Sequence, residues 1–372
     1  MRLNSVLVIG GGIGGLTAAI ALRRKGYPVE IIEKDASWTV YGVGIIQQFN
    51  VVRAMGTLGL LEEYLAEAFG FDLTEMFAPT GQKIAEFPTP RLAGEQYPSN
   101  AGIRRTDLQR VLATRAKELG VGVRLGVTAE TLADDGEGVD VGFSDGSRGR
   151  YDIVVGADGV FSRTRAQILP DAQTPRYTGQ WVWRYNFPQP PDLQGIRIFT
   201  GPHSAGLVPL GKGLMYMFLL SQEEPEFRLA KEGAAAVMRS RTRGTAPQIA
   251  ALAEQITDDD GVVGRPLQTV FVDGAWHKGR VVLIGDAVHA CTPHLAQGAG
   301  LAIEDGVVLA DELEKADDPQ SAFAAFQERR FDRAKFIVVN SVRIGDSQMG
   351  KIGNLDMADL NRRTIALMAQ PI

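Results

Sequence analysis

Apolar residues recur along the chain with two different periods, and the shift between them outlines the fold. Residues 5–9 read as a buried parallel strand, with an unbroken apolar run from Val6 to Ile9 that ends at glycine. Residues 16–25 carry apolar positions at helical spacing and stop at Gly26, and residues 28–33, with Val29, Ile31 and Ile32 apolar, read as a second strand. Strand, helix and strand in about 30 residues make one βαβ unit. Similar reasoning predicts helices over 51–69, 106–119, 230–256, 299–315, 322–340 and 357–368, with Thr106 as an N-cap and Gly120 as a stop. Strands are predicted over 121–124, 139–143, 151–155 and 280–284, with Asp145-Gly146 as a turn. Residues 39–50 read as a glycine-containing loop, and 71–99 as a short β-ribbon punctuated by Pro79, Pro88, Pro90 and Pro98. Between 176 and 270 the period becomes two. Trp181, Trp183, Tyr185 and Phe187 alternate, as do Leu214, Tyr216, Phe218 and Leu220, which predicts an antiparallel sheet with one aromatic face.

Composition narrows the function classes. The chain has 372 residues, 45% hydrophobic and 22% charged, which excludes a disordered or fibrous protein and suits two domains or one large α/β fold. A net charge of −5 lacks the basic excess of a nucleic-acid binder. No run of about 18 apolar residues suggests a membrane span. Arg23, Arg24 and Lys25 follow the first apolar stretch where a signal peptide would have them precede it, so a cytoplasmic protein is expected. The single cysteine, Cys291, excludes an intrachain disulfide and a cysteine zinc site. His289 and His294 lack the carboxylate or helical register of a zinc pair, so no metal is expected.

Three glycine-containing sets carry the chemistry. Gly10-x-Gly12-x-x-Gly15 lies between a predicted strand and helix, the context that gives this pattern meaning. The first glycine permits the turn, the second lets backbone approach a pyrophosphate, and the third lets helix and strand close up. The helix N-terminus offers N–H groups to the phosphates. Glu33 ends the second strand, placed to accept ribose hydroxyls. The second set is Asp158-Gly159 with Ser162 and Arg165, after the run 152–157. A strand running into Asp-Gly is also what a hairpin shows. The third is Gly285-Asp286 through His289, then Pro293 and Gln297-Gly298-Ala299-Gly300 before a helix. Asp286 can accept a cofactor hydroxyl, and the glycines can bring N–H groups to an anionic ring edge.

These sets, in this order, resemble those of the single-component (class A) FAD-dependent aromatic hydroxylases, the p-hydroxybenzoate hydroxylase family, across residues 5–335. The resemblance implies an α/β protein whose Rossmann-type FAD domain comes from 1–70, 100–175 and 271–335. A substrate-binding antiparallel sheet from 71–99 and 176–270 is inserted into it, and 336–372 forms a C-terminal helical segment. It implies FAD contacts from Gly10, Gly12, Ile13, Gly14, Gly15, Glu33, Lys34, Gly44, Arg105, Val127, Asp158, Gly159, Arg165, Gly285, Asp286, Pro293, Gly298, Ala299 and Gly300. Gly42, Gly44 and Gly298 would leave room for the flavin ring to move. Leu301 stands where the family often has Asn. The implied activity is a monooxygenase in which NADH or NADPH reduces FAD and a flavin C4a-hydroperoxide hydroxylates a small aromatic or N-heteroaromatic ring with O2. A same-fold epoxidase, urate-type oxidase or polyprenyl reductase is the alternative, and a flavin-binding regulatory protein without turnover is a third reading. The implied state is a monomer or homodimer, without a membrane or nucleic-acid partner.

The substrate is expected between the flavin and the aromatic sheet, among Trp183, Arg184, Tyr185, His203, Met215, Tyr216 and Met217. Tyr216 and His203 are candidates to assist deprotonation of a ring hydroxyl, and Arg184 to bind a carboxylate or a flavin edge. The plain alternatives are a sheet-core tyrosine, a loop histidine and a surface charge.

Overall fold

Four consecutive apolar residues, Val6–Ile9, are buried at every position and lie inside a six-stranded sheet. The computed structural model describes residues 1–40, 42–201 and 203–372. On one side of Val6–Ile9 runs Ile153–Gly156 and on the other Val29–Glu33, both parallel to it. Gly122–Leu125 continues the sheet past Val29–Glu33, while Val281–Leu283 and the antiparallel His277–Lys278 continue it past Ile153–Gly156. Strands buried on both faces need apolar residues throughout, which VLVI and IVVG supply. The three glycine sets therefore leave the carboxyl ends of three adjacent strands, Val6–Ile9, Ile153–Gly156 and Val281–Leu283. That edge of an open parallel sheet is where ligands bind.

The helix Ile13–Arg24 packs against the later helix Gly298–Lys315 with almost no side chain between them: a Cβ at Gly306 would lie 2.7 Å from the Ala18 backbone nitrogen. The 30-residue helix Pro319–Gln348 covers Gly298–Lys315 in turn, and the domain boundary expected at 336 falls inside it.

The second sheet has seven strands in the order Val263–Thr269, Arg176–Pro188, Leu214–Gln222, Ala205–Gly211, Ile196–Phe199, Leu73–Phe77 and Lys83–Pro88. Residues 71–99 thus give two strands to the sheet that 176–270 builds. The alternating aromatics do not share one face. Asn186 stands opposite Tyr216 and Arg184 opposite Phe218, so Trp181, Trp183 and Phe187 point the other way. These three pack with Met215 and Met217 into a separate core. That core is closed by Ala234–Arg241 and Pro247–Ala253.

Other expectations shift for local reasons. The helix expected over 51–69 is two, Phe49–Thr57 and Leu61–Glu67, because Gly59 takes a left-handed φ of +68° between them. The one expected over 230–256 is also two, with Pro247 opening the second, where its missing N–H costs nothing. The loop over 39–50 contains a strand, Gly44–Gln47, paired with Asn100–Arg104. Arg104, not Thr106, is the N-cap of Arg105–Glu118. Among the described residues no helix is long and apolar enough to cross a membrane.

Candidate active site

Between the strand ends of the first sheet and one face of the second lies a cavity of about 1490 Å³. It exceeds the roughly 300–1,000 Å³ typical of a small-ligand site, enough for a dinucleotide and a second molecule.

The first glycine set forms its phosphate end. Gly12, Ile13 and Gly14 line the cavity, and a Cβ at Gly12 would meet nothing within 4 Å, leaving the backbone open to a ligand. Gly10 and Gly15 lie behind. With φ of +109°, Gly10 passes so close to the second motif that a Cβ would sit 2.4 Å from the Ala157 oxygen, and one at Gly15 would sit 1.9 Å from the Gly10 oxygen. Gly11 is held from three sides. Its N–H donates to Glu33 Oε2 at 2.8 Å, and its carbonyl accepts from Trp38 Nε1 at 2.8 Å and Gln109 Nε2 at 2.9 Å. Trp38 adopts φ +49°, unusual for a bulky side chain, and its indole bond to Gly11 helps hold it there. Glu33 Oε1 accepts the Asp35 N–H at 2.9 Å, and Glu33, Lys34 and Asp35 form the adjoining wall.

The second motif is divided. Gly159 lines the cavity, with the exposed ring of Phe161 beside it, but Asp158 and Arg165 serve the loop. Asp158 accepts from the Ser162 hydroxyl and from the N–H and hydroxyl of Thr164, fixing the start of helix Arg163–Ile168. Arg165 is buried and donates to the carbonyls of Val160 and Ala287, which ties this loop to the third motif.

In the third motif Asp286 opens onto the cavity. The protein around it pushes its carboxyl above the ordinary carboxylate range, against the opposing pull of His289 and Arg105. Pro293, Gly298 and Ala299 line the cavity, while Gly300 turns toward Asn50 and Val51. Val127 is buried off the cavity, its N–H donating to the Glu33 carbonyl. Gly44 lines the cavity, and the side where a side chain would stand is filled: a Cβ there would lie 2.3 Å from Leu210 Cδ2 and 2.5 Å from Tyr216 Cδ1. Its missing side chain admits Tyr216. Open space remains at Gly42, and at Gly298 the Cys291 sulfur lies 3.3 Å from a Cβ.

Arg184, Arg105 and Tyr216 converge on the sheet side of the cavity. Desolvation pushes the Arg184 guanidinium down to about 10, and the neighbouring charge of Arg105 adds to this. It remains a cation at neutral pH, and among the described residues no carboxylate pairs with it. Burial raises the Tyr216 phenol, while both arginines pull it down. Of the remaining candidates, Trp183, Tyr185, Met215 and Met217 face the helix-covered core. His203 is half-buried with Nδ1 unpartnered, and its neighbour Ser204 lines the cavity in its place. The sequence reading missed Trp38 and Gln109, and also Asn361 and Ile365 of the last helix, Met357–Ala369, which form a further wall.

These residues fit FAD: an open glycine loop at a helix N-terminus, a carboxylate at the end of the second strand, and Asp286 turned into the cavity with no hydrogen-bond partner among the described residues. The comparisons agree. The sequence profile of the FAD binding domain family matches residues 4–341. Aurachin C monooxygenase/isomerase of Stigmatella aurantiaca is 32% identical over 98% of this chain and 94% of its own length. The 3-hydroxybenzoate 6-hydroxylase of Polaromonas naphthalenivorans is 33% identical over 91% of this chain and 87% of its own. The crystal structure of Klebsiella pneumoniae HpxO with FAD and uric acid superposes with a TM-score of 0.84 at 25% identity, covering 98% of this chain and 92% of that one. This chain belongs to the family of FAD-dependent aromatic-ring monooxygenases, and is a flavoprotein oxidoreductase with FAD as its cofactor.

Proposed function

We propose that this chain hydroxylates an anionic aromatic or N-heteroaromatic ring, using NADH or NADPH and O2, with the ring held at Arg184 and Tyr216. The observation that carries this reading is the Arg184 cation, open to the cavity and, among the described residues, without a carboxylate partner. A desolvated guanidinium leaves an electrostatic demand that a substrate carboxylate or phenolate meets with a charge-assisted hydrogen bond. FAD, when bound, would supply the redox chemistry between the nicotinamide and O2. Gly12 to Gly14, Glu33 and Asp286 would hold the cofactor.

The residues on the sheet side do the rest. Arg184 and Arg105 lower the proton affinity of a ring hydroxyl placed near them, and the resulting phenolate is the more electron-rich form. The Tyr216 hydroxyl can donate to or accept from that oxygen. Val182, Phe218, Leu220 and Leu267 line the same space and keep bulk water from the reacting ring. The hydroxybenzoate and uric acid named for the relatives are aromatic or N-heteroaromatic compounds, which supports the class. An epoxidase or reductase acting on an apolar chain alone would leave Arg184 without a partner.

The test is NADH and NADPH oxidation by the FAD-loaded protein, with peroxide measured in parallel, across hydroxybenzoates, hydroxypyridine carboxylates and the methyl esters of both. Oxidation should accelerate with the anions and much less with the esters. Equal acceleration by the esters, or none with any compound, overturns the reading.

A further inference from the structure

One row of side chains on the cavity face of the seven-stranded sheet runs beyond the reach of a single ring. Strand register defines it. Arg184 stands opposite Phe218, Phe218 opposite Gly206, Gly206 opposite Ile198, and Ile198 opposite Met76. Directly opposed residues point to the same face. Four strand spacings of about 4.8 Å carry the row roughly 19 Å from Arg184.

Every member beyond Arg184 is apolar. A Cβ at Gly206 would lie 2.3 Å from the Phe218 ring, so that ring covers the glycine and no side chain interrupts the row. Phe218, Ile198 and Met76 line the cavity and keep part of their surface open to it. The opposite face of the same sheet buries its apolar side chains under two helices, whereas this row is left facing open space. A ring anchored at Arg184 covers only its first step. FAD does not account for the remainder, because the groups that fit the dinucleotide lie at the strand ends of the other sheet.

We propose that the substrate is an amphiphile: an aromatic anion whose ring carries an extended alkyl or isoprenoid chain, laid along Phe218, Ile198 and Met76. This rests on the ring-binding role proposed above for Arg184. The guanidinium fixes the head, and the row selects for the length of the tail by removing apolar surface from water.

The test is calorimetric binding of 2-hydroxybenzoates alkylated at ring position 4, from methyl to nonyl, to the FAD-loaded protein. Affinity should rise by up to about fourfold per methylene, with an increasingly negative heat-capacity change. Ile198→Trp should end that rise at a shorter chain than Met76→Trp, because position 198 lies nearer the head. A flat or falling series in the unaltered protein, or two variants whose series match it, overturns the proposal. NADH and NADPH oxidation in the same samples separates the two readings. Affinity that grows with chain length without oxidation removes the hydroxylation and keeps the tail site, while oxidation with a flat series does the reverse.

Discussion

Replacing Asp305 with Asn should destabilise the protein by about 3 kcal/mol while barely changing the shape of the side chain. Asp305 is fully buried. Its Oδ2 accepts the Gly285 N–H at 2.8 Å and lies 2.6 Å from His289 Nε2, and its Oδ1 accepts Arg330 Nε at 2.8 Å. Burial pushes this carboxyl up, yet the charges of His289 and Arg330 hold it down at about 2. An amide has one acceptor face where the carboxylate has two. Asn must therefore turn its NH2 toward either the Gly285 N–H or Arg330 Nε, donor against donor. Removing one partner of a buried ion pair costs about 3–5 kcal/mol. Glu304 still accepts from Arg330 Nη1 at 2.9 Å, which places the cost at the lower end. At roughly 2 °C per kcal/mol for a large chain, Tm falls by about 6 °C. The assay is thermal unfolding of the FAD-loaded protein and the variant over a range of pH. The carboxyl is depressed in the folded state, so its contribution is complete above its unfolded value of 3.8 and is lost as pH falls through about 2. The gap in Tm should hold at neutral pH and close across that acid window. A variant that melts with the parent at neutral pH, or a gap indifferent to acid, refutes the argument.

Glu33→Ala should weaken FAD binding by roughly 1–3 kcal/mol, the scale of hydrogen bonds to a charged group, because it removes both the ribose acceptor and the partner of the Gly11 N–H. A fluorescence titration with unchanged affinity would count against Glu33. Arg184→Ala should raise KM for an aromatic anion roughly 10- to 150-fold, the equivalent of about 1.5–3 kcal/mol, while the affinity for FAD stays the same. An unaltered KM in steady-state NADH or NADPH oxidation would place the anion elsewhere.

What could be read from the sequence was local. The first βαβ unit declares itself because its strand, turn and helix are contiguous, with Gly10 and Gly15 answering near contacts and Gly12 leaving the backbone open. The alternation around Trp183 and Arg184 likewise shows that the two face opposite ways. It does not show that Arg184 shares a face with Tyr216, since that depends on how strands about 30 residues apart pair. Trp38 and Gln109 escaped notice because both meet Gly11 across the fold, the second over 98 residues. Asp158 and Arg165 could be located as a motif, but only the hydrogen bonds reveal that they brace two loops against each other. Gly44 lines the cavity as its sequence context suggests, but that its Cβ side is closed by the ring of Tyr216 depends on a strand arriving from residue 216.

The pairing of Ile13–Arg24 with Gly298–Lys315 also sets an order for biosynthesis. The helix that carries the dinucleotide loop emerges early, but the surface that covers it is encoded roughly 270 residues later. At about 5–20 residues per second, translation leaves that apolar face uncovered for some 14–54 s. Asp286, and the Asp305 that accepts the Gly285 N–H beside it, are still unmade for nearly all of that interval, so the nascent N-terminal segment has neither a closed core nor a finished cofactor pocket. The FAD domain can therefore complete its core and its cofactor pocket only once residues near 300 have emerged.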